Sequence, residues 1–157
     1  TYCNVEVQKI GYAFPGERSA CYSSDLLLRQ YKTARSRKKE KFTYKDVKGV
    51  YTIVLMDKSA RIFDEFSEKY VHTFRQGSDT GLAMDLLQNY IFIPLDIFRE
   101  NVHNKGIKNK LDAWLVFLSM DEPERIIDLI TAYPEFKAMY EHVYNMCRNV
   151  EDVMGIQ

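Results

Sequence analysis

The chain has 157 residues, 46% of them hydrophobic, which is enough for a domain with a real core. It carries 22 Lys and Arg against 22 Asp and Glu, with only 7 Gly and 4 Pro. Those figures exclude an intrinsically disordered chain and a collagen-like or linker-like one. No apolar run reaches the ~18 residues of a membrane span, so no membrane partner is expected.

Residues 2–8 alternate with period two. Cys3, Val5 and Val7 fall on one face, and Asn4, Glu6 and Gln8 on the other, which predicts a strand with a polar side. Gly11 to Pro15 is a loop. Pro15 suits a first helical turn and Glu17 suits the positive end of the helix dipole. Ala20, Cys21, Ser24, Leu27, Leu28 and Tyr31 then recur at helical spacing, which predicts a helix over 16–34. A basic loop follows. Val50 to Met56 is a β-branched apolar run bounded by Gly49 and Asp57, which predicts a buried central strand. Lys69–Phe74 and Asn89–Ile93 read as strands, with a turn at Gly77–Gly81. Met84, Leu86 and Leu87 fit a short helix or a strand. After Pro94 the pattern is helical: Leu95–Val102, Lys108–Met120, Pro123–Ala132 and Pro134–Val150. Asp121 is the expected N-cap of the third of these. Leu111, Trp114, Leu115 and Leu118 form one apolar stripe, so Trp114 is expected to be buried.

The zero net charge hides an asymmetry. Residues 1–62 carry 13 Lys and Arg against 6 Asp and Glu, and residues 63–157 carry 9 against 16. Most of the positive excess lies in 29–48, where Arg29, Lys32, Arg35, Arg37, Lys38, Lys39, Lys41, Lys45 and Lys48 face only Glu40 and Asp46. Such a cluster is a candidate phosphate-contact surface; the plainer reading is a solvated loop. Tyr31, Phe42 and Tyr44 interleave with these charges and could stack on bases.

Glu6 and Gln8 place a carboxylate and an amide on one strand face, about 6–7 Å apart along the backbone. A metal-dependent phosphodiesterase uses such a pair: the carboxylate helps hold a hard cation and its polar neighbour orients the attacking water. The spacing alone carries little, because Asp46-x-Lys48 and Glu135-x-Lys137 repeat it. Only Glu6-x-Gln8 lies in an alternating strand that leads into a helix. His72, His103 and His142 lie on different elements without ligand spacing, and Cys3, Cys21 and Cys147 without zinc spacing. Free thiols in a reducing cytoplasm are the expectation for the cysteines.

The stretches Asn4-Val5-Glu6-Val7-Gln8, Glu17-Arg18-Ser19-Ala20-Cys21-Tyr22 and Tyr44-Lys45-Asp46-Val47-Lys48-Gly49-Val50-Tyr51-Thr52-Ile53 resemble the recombination-promoting nuclease and transposase family (Rpn type). That family belongs to the PD-(D/E)XK, or restriction-endonuclease-like, superfamily. Trp114-Leu115-Val116-Phe117-Leu118 resembles its C-terminal part. The resemblance implies an α/β fold, with a mixed-sheet restriction-endonuclease-like core over 1–94 and a helical subdomain over 95–157. It implies DNA as the partner, a homo-oligomer being left open, and Mg²⁺ as cofactor, with Mn²⁺ as the alternative ion. Glu6 matches the metal-binding carboxylate, and Gln8 the position that is Lys in much of the superfamily. Arg18 and Tyr22 match helix positions that face the site, where Arg18 could contact a phosphate. Arg35, Arg37, Lys38, Lys39 and Lys41 are the further candidate DNA contacts.

The family's metal-binding aspartate precedes the Glu strand, and here no acid precedes Glu6. The expectation is therefore an N-terminally incomplete and inactive DNA endonuclease. The alternative is a non-catalytic DNA-binding or assembly remnant.

Overall fold

The computed structural model describes residues 1–155. They divide into two compact units, Thr1–Phe98 and a second that begins at Arg99.

The first unit is a mixed sheet with a long helix. Strands β1 (Tyr2–Gln8) and β2 (Val50–Met56) are parallel neighbours in register from Tyr2 opposite Val50 to Gln8 opposite Met56. Helix α1 (Pro15–Lys38) connects them, as parallel strands require a crossover. Strand β4 (Gln88–Pro94) pairs with the other side of β2, also parallel, and the short β3 (His72–Phe74) adds to β4 antiparallel. The order β1-β2-β4-β3 leaves β1 at an edge. β2 is central and its apolar run is mostly buried, as its composition predicts.

Helix α1 is longer than the sequence pattern predicts, and the residues read as a basic loop are its last turns and the turn after them. The apolar spacing fades after Tyr31, but 35–38 contain only Arg, Ser and Lys, which tolerate helix well. The helix stops at Lys39, whose backbone leaves the helical region with a positive φ of 50°. A short 3₁₀ turn at Tyr44–Asp46 follows, closed by reciprocal bonds between Thr43 and Asp46. Gln30 then ties α1 to the start of β2. Its amide donates to the Lys48 carbonyl at 2.8 Å and accepts from the Lys48 N–H.

Of the expected strand at Lys69–Phe74 only His72–Phe74 pairs, and 82–87 form no regular element. A 3₁₀ segment at Arg61–Phe66 brings Phe63 into a core with Val54, Met56, Phe92 and Ile97. Ile97 belongs to α2 (Leu95–Lys105).

The second unit holds the rest of α2 and α3 (Lys110–Ser119), α4 (Pro123–Ala132) and α5 (Glu135–Met154), with α3 against α4 and α4 against α5. α3 opens on a side-chain cap with a second bond beside it. Asn109 accepts from the Asp112 N–H at 2.8 Å, and the buried Asp112 carboxylate accepts from the Lys108 N–H at 2.9 Å. α4 has no side-chain cap. Its N-cap is Glu122, one residue past the expected Asp121, with Pro123 entering the first turn. Trp114 is 39% exposed rather than buried, as are Leu111 and Leu118 beside it in varying degree. The buried face of α3 is Ala113, Leu115 and Val116, because Asp112, drawn inward by its cap, rotates the stripe. Phe136 of α5 is the buried aromatic of this unit, with Trp114 and Phe117 ring centroids 5.0 and 5.7 Å away.

Candidate active site and nucleic-acid surface

The alternation of β1 is as the sequence predicts, but the polar face is the covered one. Asn4 and Glu6 are half-buried and Gln8 is only 5% exposed, while Val5 and Val7 are exposed. The cause is the side on which α1 lies. The Gln88 amide donates to Ser23 Oγ at 3.1 Å, so α1 packs on the face bearing Gln88, and register puts Tyr2, Asn4, Glu6 and Gln8 on that same face. One row across the sheet runs Glu6, Val54, Phe92, His72. The first turn of α1 reaches that row: Pro15, Gly16 and Glu17 line an apolar cavity of about 350 Å³ with Phe92, Phe63 and His72. Glu6, Gln8 and the start of α1 are thus brought to one end of the unit, the end where the parallel strands finish.

The backbone there is tight. A Cβ on Gly11 would sit 2.8 Å from the Ala60 nitrogen, so the loop leaving β1 can pass the loop leaving β2 only as glycine. Phe14, the residue before α1, is left-handed at φ 58°.

Gln8 Oε1 is buried with no hydrogen-bond partner in the described residues. A buried unpaired acceptor calls for an explanation, and a site that receives a ligand is one. Arg18 lies one turn into α1. Its guanidinium is 4.4 Å from the Tyr12 ring centroid and 5.1 Å from that of Tyr22. The two rings flank the cation and leave its N–H groups for an anion. Tyr22 matched the expected site helix; Tyr12 did not show in the sequence because a loop residue has no period.

The other candidate contacts lie elsewhere. Arg35, Arg37 and Lys38 close α1, with Lys39 and Lys41 in the turn beyond. From Arg18 to Arg35 the helix rises about 25 Å. Gln30 bonds Lys48 just before β2 starts, so this cluster lies past the opposite end of the strands from Gln8. Two of the five are already engaged. Lys38 Nζ is 2.6 Å from Asp46 Oδ1, and Arg35 donates to the Tyr31 hydroxyl. The Lys38 ammonium and the Thr43 N–H hold the Asp46 carboxyl below the usual aspartate range. The Arg35 hydrogen bond, then the Tyr44 one, lowers the Tyr31 hydroxyl.

The same contacts dispose of the two rival carboxylate–lysine spacings. Asp46 is spent on Lys38 and its turn, and Glu135 pairs with Lys110 at 3.1 Å. Cys3, Cys21 and Cys147 are free and exposed. Among the described residues no group of three or more His, Cys, Asp and Glu could hold a metal, and no helix is long and apolar enough to cross a membrane.

A mixed α/β sheet with a carboxylate-x-amide strand leading into its crossover helix has the architecture of a restriction-endonuclease-like nuclease core. A family model described as PD-(D/E)XK nuclease family transposase matches residues 1–154, and the chain belongs to that family. Its role is that of a nuclease associated with transposition, the family implies a DNA substrate, and its nucleases generally use divalent metals. No curated protein and no solved structure matches.

Proposed function

We propose that the chain is a divalent-metal-dependent DNA endonuclease whose chemistry is centred on Glu6 and Gln8. The observation that carries this reading is the buried, unpartnered Gln8 Oε1 beside Glu6 on the covered face of β1. The available donors are hard oxygens, which suit Mg²⁺ or Mn²⁺. They are few: one carboxylate and one amide oxygen. A cation held by one carboxylate keeps waters and substrate phosphate in its other positions, so binding without DNA is weak. When bound, the cation would stabilise the charge that develops on the phosphate and acidify a water. Glu6 anchors it. The Gln8 amide orients the water but adds no charge of its own. Arg18, flanked by Tyr12 and Tyr22, contacts a phosphate close to the same end of the unit.

Cleavage by this chain alone is expected to be slow, since one carboxylate fixes the cation loosely and a displacement of ~1 Å can cost about a hundredfold. Plasmid nicking with Mg²⁺ or Mn²⁺, together with Mn²⁺ binding, tests the assignment. Glu6→Gln should abolish both metal binding and any nicking while leaving DNA affinity intact. Gln8→Lys should preserve or raise nicking. If Glu6→Gln binds Mn²⁺ and nicks like the parent, the site lies elsewhere.

A second reading, a non-catalytic DNA-binding role, is favoured by one observation. The basic end of α1 is about 25 Å from the Glu6 end and needs no carboxylate to bind a phosphate backbone. It predicts DNA binding that is indifferent to metal and to Glu6.

A further inference from the structure

The turn after α1 sets three aromatic rings together on the surface. Tyr31 and Tyr44 stack nearly parallel, with centroids 6.0 Å apart and planes at 6°. Phe42 meets both edge-on, at 5.7 and 5.4 Å. The arrangement is held from both sides. Tyr31 is fixed by the helix and by Arg35, and the turn carrying Phe42 and Tyr44 is fixed by the Asp46 contacts to Lys38 and Thr43. Despite this anchoring Tyr44 is 74% exposed, so the cluster does not serve to bury that ring. Tyr31 stacks on Tyr44 and Phe42 meets it at a steep angle, and the remainder of the ring faces solvent. An apolar hollow of about 390 Å³ adjoins it, lined by Leu27, Leu28, Val47 and Leu87 with the two tyrosines.

The surroundings are cationic. Residues 29–48 hold nine Lys and Arg against Glu40 and Asp46, and Asp46 is already neutralised by Lys38. Among the described residues Arg37, Lys39, Lys41 and Lys45 have no carboxylate partner. The complement of such a surface is a polyanion that also offers flat apolar faces. A DNA duplex offers phosphates but no free base faces along its length, because its bases are stacked on one another; an acidic peptide offers charge without flat faces. Single-stranded DNA offers both.

We propose that Tyr44, backed by Tyr31 and Phe42, is a stacking platform for unpaired bases of single-stranded DNA, with Arg37, Lys39, Lys41 and Lys45 on the phosphates. This inference rests on the DNA-acting character of the family and not on the assignment of Glu6. The platform lies at the far end of α1 from Glu6, so the substrate it selects has an unpaired segment away from the point of cutting.

The test is binding of fluorescent oligothymidylate and of a duplex of equal length, both in EDTA, with 2-aminopurine oligonucleotides reporting stacking. The parent should bind the single strand more tightly and quench 2-aminopurine. Tyr44→Ala should weaken single-strand binding about tenfold, equivalent to ~1.4 kcal/mol, remove the quench and leave duplex binding unchanged. Tyr44→Phe, which keeps the ring, should behave as the parent. Equal losses on single strand and duplex, an unaltered single-strand affinity in Tyr44→Ala, or Tyr44-dependent binding of polyglutamate as tight as that of DNA would each overturn the proposal. Since no metal is present, the result is independent of Glu6: a Glu6→Gln protein that still binds metal and cuts refutes the catalytic assignment and leaves the platform standing.

Discussion

Leaving a buried acceptor without a partner costs about 1–3 kcal/mol, and Gln8 Oε1 is such an acceptor. Gln8→Leu removes that cost and adds apolar surface of similar size. Its thermal unfolding should lie within about 1 kcal/mol of the parent or above it, while nicking in Mn²⁺ should be lost. A melting point well below the parent's would make the amide a structural group and remove it from the site. Nothing in the sequence distinguishes this burial. The 2–8 alternation fixes that Glu6 and Gln8 share a face, but which face is covered depends on where α1 packs. That is a long-range fact, carried by Ser23 and Gln88, 65 positions apart. Arg18 illustrates the opposite case: its place in the first helical turn was legible, and only the loop residue Tyr12 against it was not.

Elements with a strong period or a clean composition were legible: β1, β2, β4 and α4 lie within a residue or two of expectation. Where period gives out, the expectation fails in a definite direction. α1 continues into its basic turns because nothing in 32–38 breaks a helix, even though only the small Ala34 there is apolar. On α3 only Leu115 of the expected Leu111, Trp114, Leu115 and Leu118 stripe is buried; the helix turns Ala113 and Val116 inward beside it, because the Asp112 cap occupies the interior. The consequence is measurable. Phe136, fully buried against the Trp114 and Phe117 rings, should cost about 3–5 kcal/mol as Phe136→Ala. Trp114→Ala should cost clearly less than Phe136→Ala, since part of its ring remains in water. Urea unfolding of both variants by circular dichroism decides the order. The single Trp of the chain gives an independent reading, an emission maximum between those of buried and free indole.

For the molecule as a DNA-acting chain, the relevant quantity is the separation of its cationic groups along α1. The charge asymmetry read from sequence stands, but its placement was not readable, because a helix of unforeseen length carries the cluster past the end of the sheet. Arg18 and the Arg35–Lys41 group are about 25 Å apart along the axis. A DNA of fewer than roughly 7 base pairs, at ~3.4 Å each, cannot touch both. Affinity should therefore climb as oligonucleotides lengthen through that range, beyond the statistical gain from added sites, and the climb should vanish when either end is neutralised. Arg18→Ala should flatten the length dependence while short oligonucleotides bind as before, since they can occupy the basic end alone. Replacing Arg37, Lys39 and Lys41 together should weaken every length. It should also reduce the slope of log affinity against log salt by ~0.9 per lost duplex contact, or ~0.7 on a single strand. Lys38→Ala should change that slope less than any of the three, because its ammonium is committed to Asp46. Fluorescence anisotropy over a series of lengths and salt concentrations measures all of this. A smooth length dependence identical in the parent and in Arg18→Ala would mean that the two ends of α1 never hold the same DNA.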